Sequence, residues 1–520
     1  MIQGSTLTSI ADAIRAKTGK SEAFTPAQMI TEIGSISGGG NLSSAVFSAN
    51  GTYTPTGDYD GFDRVVVSVP LTPVSGIDPV GLLTKQISEI VDTVGSVPFV
   101  SLSACMDCAS LQTVNLPAAS YVYSAAFANC TALSSVELSS ATVIHQNAFA
   151  GCTNLATVIA GECVTIGTYA FNQTKLSEIS FPKATSVGSF AFAKTSAQSL
   201  YMPLLQYASN NAFASCSSLT AADLPNLATA GNALFAYCSN LVSVNLPLIS
   251  SVGVGCFISC SKLKDITLSS RLAYIGASAF TNCYDLKSID LGEVSIVQSS
   301  AFAGCRSLSQ VKMDSVTSVM SGAFSNCGIL SVDLPSATSL AYGVFYGCFS
   351  LQTVNIPLVT AISSYAFYQC SSLQMVSMPN ANLISTYAFH RCVGLSEVDL
   401  PLVATISAYG FCNCSNLESV SAPSVKRLEQ HAFTGCSKLS TLSLPALSYI
   451  APSAFLSAGV TSLYLLGSSV VTLANTNAFS STAMLGTGSG IVYVPASLYG
   501  SYVAGTNWSA LSSHISSVAT

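Results

Sequence analysis

The sequence contains very little charge for its length. Only 8% of its 520 residues are Asp, Glu, Lys or Arg, and the formal net charge is -6. A nucleic-acid-binding protein concentrates lysine and arginine on one surface, and a disordered chain combines high charge with few apolar residues. Because apolar residues make up 49% of this chain, the composition argues against both classes and predicts a packed protein whose surface is mostly Ser, Thr, Ala and Asn.

Long apolar runs and targeting segments are also missing. No run approaches the roughly 18 consecutive apolar residues of a membrane-spanning helix, so we expect no membrane span. The N-terminus, MIQGSTLTSIADAIRAKTGK, lacks the charged start and apolar centre of a signal peptide. This favours a protein that does not follow the ordinary secretion route.

Residues that carry chemistry are few and scattered. None of the four histidines has the spacing of a metal motif, and neither a G-x-S-x-G elbow nor a P-loop occurs. We therefore expect no enzyme activity, metal or cofactor. A chain built from repeats, as described below, can nevertheless bring carboxylates from distant repeats together on one face. This keeps a polysaccharide-degrading tail spike as an alternative. Acidic residues that recur at one repeat position are Glu137, Asp223, Asp290, Asp333 and Asp399.

The chain does contain one phrase repeated without a break, with a period of 21 to 24 residues. Self-similarity at a fixed period is the strongest sequence signal for a solenoid. Each copy reads roughly A-F-x-x-C-x-x-L-x-x-V-x-L-P. The repeated phenylalanines are Phe127, Phe149, Phe171, Phe192, Phe213, Phe235, Phe257, Phe280, Phe302, Phe324, Phe345, Phe367, Phe389, Phe411, Phe433, Phe455 and Phe479.

Each repeat predicts one short strand followed by a tight return. The stretch from leucine to proline alternates apolar and polar residues, and proline ends it because proline has no amide donor. One such unit cannot bury its own apolar face, but stacked units can. At about 4.8 Å per stacked strand, some eighteen coils make a solenoid of roughly 85 Å.

Eighteen cysteines raise the question of disulfides or metal. Fourteen of them occupy one repeat position, which Thr174, Thr195, Ala458 and Thr482 fill in other copies. A position that accepts threonine and alanine requires a small buried side chain, and free cysteine behaves as one. A ladder of equivalent thiols also has no preferred pairing. We therefore predict reduced core thiols.

The repeat resembles the BspA-type leucine-rich repeats, whose units are similar to IGxYAFxxCxxLxxVxLP. The resemblance covers residues from about 99 to 485 and implies a leucine-rich repeat solenoid with parallel strands. Residues 486–520 resemble the strand-and-helix cap that often closes such proteins. In that cap Trp508, with Leu498, Tyr502, Leu511 and Ile515, is expected to cover the open end of the core.

The N-terminal part is a different kind of sequence. Residues 1–37 predict a helical attachment module, because apolar residues recur at helical spacing and Gly19 follows the first helix. Residues 41–70 predict a small β module with two strands around an Asp-Gly turn. The patterns LTSIADAIRAKTG and NGTYTPTGDYDGFDRVVVSVP resemble modules that open tail and appendage proteins of phages and prophages of gut bacteria.

Residues 71–98 connect these modules to the solenoid and predict a helix that begins near Asp78. Its apolar residues recur at three and four positions, which is a seam of barely two heptads. Two interpretations stay open: an oligomerising stalk, plausibly trimeric, or a helix that caps the first coil. The seam residues are Val80, Leu83, Ile87, Ile90 and Val94.

Aromatic residues cluster at two positions of the later repeats. Tyr365, Tyr387, Tyr409 and His431 lie two residues before the phenylalanine, and Tyr346, Tyr368 and His390 lie one residue after it. Stacked coils would align them into an aromatic strip beside Arg391. The strip is a candidate receptor contact, since clustered aromatic rings with polar tips suit sugar or protein surfaces. The alternative is that the rings only pack between coils.

Together these features favour a non-enzymatic protein of a phage tail or similar particle. Its N-terminal region would join other virion proteins, and its arm would bind a glycan or protein of the bacterial surface. The main alternative is a BspA-like adhesin located at the bacterial cell surface. The predicted location is therefore the virion, with the cell surface as the alternative.

Overall fold

A computed structural model of the protein describes residues 87–93, 95, 97–482 and 488–519, and the backbone of two further strands, Ser43–Phe47 and Phe62–Val67. The chain divides into two compact units, Met1–Ile249 and Ser250–Thr520. The predicted helical module of residues 1–37 lies outside the described residues. The predicted solenoid is confirmed, with repeats of about 22 residues that form coils of parallel strands.

Each coil contains a long strand, a short strand and a return. In one coil of the second unit, Thr353–Asn355 is the long strand and Ala361–Ile362 the short one. Val354 and Ile362 point into the core, while Thr353 and Asn355 are exposed. The return is the six-residue turn that carries the repeated phenylalanine. One coil therefore buries one face of each strand, as the alternation of the sequence predicts.

The first unit contains both strand series. Its long strands are Ser43–Phe47, Phe62–Val67, Glu89–Asp92, Thr113–Asn115, Ser135–Glu137, Thr157–Ile159, Glu178–Ser180, Ser199–Tyr201, Ala221–Asp223 and Ser243–Leu246. Its short strands are Phe99–Val100, Tyr121–Val122, Val143–Ile144, Thr165–Ile166, Ser186–Val187, Tyr207–Ala208 and Thr229–Ala230.

The second unit repeats the arrangement and adds the helices. Its long strands are Asp265–Leu268, Ser288–Asp290, Gln310–Lys312, Ser331–Asp333, Thr353–Asn355, Met375–Ser377, Glu397–Asp399, Ser419–Ser421, Thr441–Ser443, Ser462–Tyr464, Ile491–Pro495 and Ile515–Val518. Its short strands are Ser251–Val252, Tyr274–Ile275, Ile296–Val297, Ser318–Val319, Ser339–Leu340, Ala361–Ile362, Leu383–Ile384, Thr405–Ile406, Arg427–Leu428, Tyr449–Ile450 and Thr472–Leu473. Helical segments are the 3₁₀ turns Thr476–Phe479, Ala496–Leu498 and Ser509–His514 and the helix α1, Tyr499–Val503.

Strands pair in parallel with their equivalents in the next coil. Thr353, Val354 and Asn355 lie opposite Met375, Val376 and Ser377, without a shift in register. Equivalent residues of successive repeats therefore stack into ladders that run along each unit. This geometry turns a repeat position in the sequence into a row on the structure.

The returns are 3₁₀-like turns whose alternate amides bond to the next coil. The amides of Phe367 and Gln369 donate to the carbonyls of Ala388 and His390, each at 2.8 Å. The amide of Tyr368 instead donates within the return, to Tyr365. Tyr365 and Gln369 both have φ of 59°, in the left-handed region. The return adopts this conformation because it has to satisfy amides within and between coils.

The core is a continuous row of phenylalanines within each unit. Phe389 stacks on Phe367 and on Phe411 with ring centroids 5.1 Å apart in both cases. Beside this row the cysteines donate weak hydrogen bonds to the previous coil, as Cys370 Sγ does to the carbonyl of Phe345 at 3.2 Å. All cysteines are free and buried. The predicted burial of these cysteines is therefore confirmed, and their reduced state stays a prediction.

The predicted helix before the solenoid is wrong where the structure describes it. Glu89–Asp92 is a strand that pairs in parallel with Phe62–Val67 and with Thr113–Asn115. Ile87 and Ile90 are buried in the first coil, whereas Val80, Leu83 and Val94 lie outside the described residues. A short apolar stripe satisfies helical and extended spacing alike, and the open sheet edge at residue 113 selects the strand.

In the predicted β module of residues 41–70, one of the two expected strands is present, but it pairs with a different segment from the one expected. Phe62–Val67 follows the Asp-Gly pair as predicted, and its partner Ser43–Phe47 runs parallel to it. The other strand expected around that turn lies outside the described residues. These strands extend the long-strand sheet, so the described part of residues 41–70 continues the ladder.

The C-terminal cap is small and closes the last coil. Trp508 and Tyr502 are buried, together with Leu511 and Ile515, whereas Leu498 is half-buried. Trp508 Nε1 donates to the carbonyl of Val471 at 2.6 Å, and Tyr502 accepts from the amide of the same residue at 3.1 Å. The predicted strand-and-helix cap is confirmed.

Candidate functional site

The tyrosines singled out by the sequence form two ladders on one edge of the second unit. The first ladder consists of Tyr365, Tyr387, Tyr409 and His431, with ring centroids 4.9, 4.4 and 4.6 Å apart in that order. The second ladder consists of Tyr346, Tyr368 and His390, at 4.8 and 5.0 Å. Coil-to-coil register places them there, because each ladder repeats one position of the return.

The two ladders also contact each other, and we call them together the aromatic strip. Tyr365 lies 5.4 Å from Tyr368, and Tyr387 meets the ring of His390 edge-on at 5.4 Å. A tight return separates these positions by three residues, which brings their side chains to the same side. Arg391 is exposed next to His390. The structure thus brings all eight predicted strip residues to one edge.

The rings of the strip are half-buried because their faces cover each other. Tyr387 and Tyr409 stack with nearly parallel rings, at 7° between the ring planes. The strip therefore presents ring edges and hydroxyl groups to solvent instead of open ring faces. Tyr342, which tilts against Tyr365 at the start of the strip, is the exception with 56% of its surface exposed.

His390 is the one strip residue that is almost completely buried. It is 8% exposed, and its Nδ1 atom has no hydrogen-bond partner among the described residues. Burial, with a smaller contribution from the neighbouring Arg391 guanidinium, lowers the pKa of His390 to about 4. The imidazole is therefore neutral near pH 7 and acts there as an aromatic ring.

Stacked aromatic pairs also occur outside the strip. In the first unit Tyr123 stacks on His145 at 5.1 Å, and Tyr169 stacks on Phe190 at 4.9 Å. Tyr169 and Phe190 share the position of the first ladder, two residues before the phenylalanine, whereas Tyr123 and His145 lie four residues before it. Aromatic packing between coils is therefore not restricted to the strip. What distinguishes the strip is its length and its second, adjoining ladder.

Three of the five acidic repeat residues are exposed and contact a side chain of the next coil. Asp223 accepts from the amide of Asn245 at 2.8 Å, and Asp333 accepts from that of Asn355 at 2.9 Å. Asp290 forms an exposed ion pair with Lys312. Each of these carboxylates thus pairs with an amide or an ammonium group of the next coil. Across the described residues, no cluster of His, Cys, Asp and Glu has the geometry to hold a metal ion.

A groove that the sequence analysis missed lies on the edge that carries the returns of the second unit. Asn282, Gly304, Arg306, Asn326 and Phe349 line it, together with Gly347 and others, and its volume is about 430 Å³. The sequence feature that indicates this groove is an asparagine in one copy followed by a glycine at the same position of the next copy. That pairing becomes visible only when repeats are compared across neighbouring coils.

In the part of the chain that the structure describes, no helix combines the length and the apolar character needed to cross a bilayer.

Comparison with known proteins gives a consistent family match. A family model described as "BspA type Leucine rich repeat region (6 copies)" matches residues 92–195, 185–309, 295–417 and 360–486. No curated protein sequence matches the chain.

Several solved structures are similar to the chain. A leucine-rich repeat protein from Bacteroides ovatus is 24% identical, with a TM-score of 0.48, and the match covers 67% of this chain and 82% of that one. A leucine-rich repeat protein from Eubacterium ventriosum is 19% identical, with a TM-score of 0.33, covering 73% and 91%. A leucine rich cell surface protein from Faecalibacterium prausnitzii is 18% identical, with a TM-score of 0.27, covering 90% and 95%.

Proposed function

The chain belongs to the BspA-type leucine-rich repeat family, and we propose that it is a non-enzymatic adhesin of the bacterial cell surface. The repeat arm binds a glycan or protein receptor, and the aromatic strip is its contact surface. The observation that carries this proposal is the pair of adjoining ladders, which line up polar ring tips at the spacing of the coils. Stacking holds the rings in fixed positions, so little side-chain entropy is lost on binding.

The contact chemistry follows from the exposed part of each ring. Because neighbouring rings cover the faces of Tyr387, a receptor forms hydrogen bonds with the row of phenol hydroxyls. Arg391 adds a planar, positively charged donor beside the row. A polar, hydroxyl-rich or amide-rich receptor surface fits this row better than an apolar one.

The test removes the hydroxyls without disturbing the stacking. We expect a variant with Tyr365→Phe, Tyr387→Phe and Tyr409→Phe to keep the unfolding temperature of the wild type, because phenylalanine stacks equally well. Binding of the labelled full chain to bacterial cells and to mucin-coated surfaces should fall severalfold. The matched control is Tyr464→Phe with Tyr493→Phe, a stacked pair at 4.5 Å away from the strip. Equal binding by the two variants would remove the strip from the proposal.

A virion protein is the second candidate, and the N-terminal sequence supports it. The patterns at residues 7–19 and 50–70 resemble phage tail and appendage modules, and most of these residues lie outside the described part of the chain. In that case the N-terminal region joins other virion proteins, and the same arm binds the bacterial surface. Mass spectrometry separates the candidates, since peptides of this chain are enriched either in purified particles or in the cell-surface fraction.

A further inference from the structure

The groove in the second unit is formed by a pattern that crosses four coils. At the position two residues after the phenylalanine, these coils carry Asn282, Gly304, Asn326 and Gly347 in turn. All four have φ between 56° and 79°, in the left-handed region. A Cβ atom added to Gly304 would lie 2.6 Å from Oδ1 of Asn282, and one added to Gly347 would meet Oδ1 of Asn326.

Each asparagine therefore lies across the glycine of the following coil. The two glycines, which have no side chain, leave room for these asparagine side chains. This alternation produces a trough with a glycine floor and amide groups along it.

The polar groups of the groove are available for a ligand. Among the described residues, the side-chain amides of Asn282 and Asn326 make no hydrogen bond, and Arg306 forms no ion pair. The Arg306 guanidinium instead lies over the ring of Tyr284, 5.1 Å from its centroid. No acidic residue lines the groove. Its charge is therefore positive, in a protein whose net charge is negative.

An aromatic wall completes the site. Phe349 lines the groove with 54% of its surface exposed, and Tyr284 beside Arg306 is 38% exposed. Phe349 is therefore the more exposed ring of the two, since the Arg306 guanidinium lies over one face of Tyr284. The groove thus combines an apolar platform, two amides and one guanidinium within about 430 Å³.

We propose that this groove binds an acidic sugar of a surface glycan. The guanidinium pairs with the sugar carboxylate in a bidentate manner, the amides bond to neighbouring hydroxyls, and the apolar face of the sugar ring packs on Phe349. The volume lies in the lower part of the range for small-ligand sites, roughly 300 to 1,000 Å³, which suits one or two sugar residues.

An acidic peptide fits the same groove less well. Peptides commonly bind by adding a strand to an open sheet edge. Here the short strand Ile296–Val297 pairs with Ser318–Val319 on one side and with Tyr274–Ile275 on the other, and so offers no free edge. Binding therefore depends on side chains, which favours a compact ligand. In naming the ligand class of the arm, this inference rests on the proposed adhesin function but uses a different surface.

The experiment is a calorimetric titration of the full chain with 3′-sialyllactose and with trigalacturonic acid, using lactose and maltotriose as neutral controls. We expect binding of at least one acidic sugar at about millimolar concentration or below, and no binding of the neutral sugars. Arg306→Gln should weaken binding by about tenfold or more, and Asn326→Ala by severalfold. The matched control is Arg271→Gln, another exposed arginine of this unit that does not line the groove.

Three outcomes would overturn the inference. The first is that neither acidic sugar binds, and the second is that Arg306→Gln and Arg271→Gln bind equally well. The third is that a hexaglutamate peptide binds the groove and the sugars do not, which assigns the groove to an acidic peptide. Adhesion to cells is measured separately. Adhesion of the wild type without sugar binding would reject the groove and keep the adhesin, whereas sugar binding without adhesion would do the reverse.

Discussion

The repeated cysteine is a small core residue that also donates a hydrogen bond to a backbone carbonyl of the previous coil. Cys305 Sγ donates to the carbonyl of Phe280 at 3.0 Å, and the amide of Cys283 donates to the same carbonyl at 3.1 Å. Thr174 replaces the thiol with a hydroxyl that bonds to Phe171 of its own coil. The position therefore selects for a small side chain, which explains why cysteine, threonine and alanine occur there, and the first two also donate a hydrogen bond.

These thiols should be chemically silent in the folded protein. Burial raises the pKa of Cys348 to about 12. Burial also raises the pKa of Cys412, a cysteine outside the repeat position, to about 11 although Arg391 opposes the shift. Because the thiolate is the reactive form, alkylation at pH 8 should label few cysteines before unfolding and all of them in guanidinium chloride. Mass spectrometry of the labelled chain checks this. Rapid labelling of most thiols in the native protein would contradict it.

His390 predicts a loss of stability in acid. Its folded pKa, about 4, lies below the ordinary value of about 6.5, so the unfolded chain binds the proton first. The contribution of the neutral ring is complete above about pH 6.5 and is lost as the pH falls toward 4, by about 1 to 2 kcal/mol after solvent screening is taken into account. Urea unfolding at pH 7 and pH 4.5 measures the difference between the wild type and His390→Tyr.

Tyrosine is the matched replacement because Tyr346 and Tyr368 occupy the same repeat position. His390→Tyr keeps the stacking and removes the titration, so its stability should change less between the two pH values. The same acid loss in both proteins would assign the effect to other groups.

The C-terminal cap covers the apolar core at the end of the second unit, so the stability of the last coil depends on it. Trp508 covers Phe479 at 6.2 Å between ring centroids, and its indole nitrogen bonds to Val471. We expect Trp508→Ala to lower the free energy of unfolding by about 3 to 5 kcal/mol, since it opens a cavity and frees a buried carbonyl. Light scattering should also show aggregation from the exposed last coil. Denaturant unfolding and light scattering provide the measurements.

The control for the cap is a residue of the same helix that faces solvent. Tyr499, at the start of α1, is exposed. Tyr499→Ala should change stability by less than about 1 kcal/mol. A similar loss in both variants would mean that the helix as a whole, and not the tryptophan, closes the core.

At the scale of the whole chain, the stability of each coil depends mainly on its contacts with the two adjacent coils. Each coil bonds mainly to the one before and the one after it, so removal of an end leaves the interior contacts intact. A chain that lacks residues 1–68 should therefore keep cooperative unfolding and its far-ultraviolet circular dichroism. It also loses the strand Phe62–Val67 and exposes the edge of Glu89–Asp92. We expect self-association through that edge, measured by size-exclusion chromatography with light scattering. Loss of cooperative unfolding would contradict local stacking.

The sequence by itself determined the features that repeat. Phe367 and Cys370 recur with their neighbours at a near-constant period, and only a stack of coils buries all copies at once. The aromatic strip was predictable for the same reason, since Tyr365, Tyr387 and Tyr409 share one repeat position. Periodic positions need no knowledge of distant contacts, because the neighbour of each residue is its own equivalent in the next copy.

Only the tertiary structure decided those features that depend on which residues lie next to each other in the fold. Ile90 lies in a strand because an open sheet edge at Thr113–Asn115 is available to it, although the spacing of the apolar residues suits a helix as well. The strip tyrosines present edges because adjacent rings cover their faces. Gly304 forms part of a groove because Asn282 of the previous coil lies across it. The first case depends on a sheet edge outside the period, and the other two depend on which side chain the neighbouring coil carries and how that side chain is oriented. The repeat period alone encodes none of these.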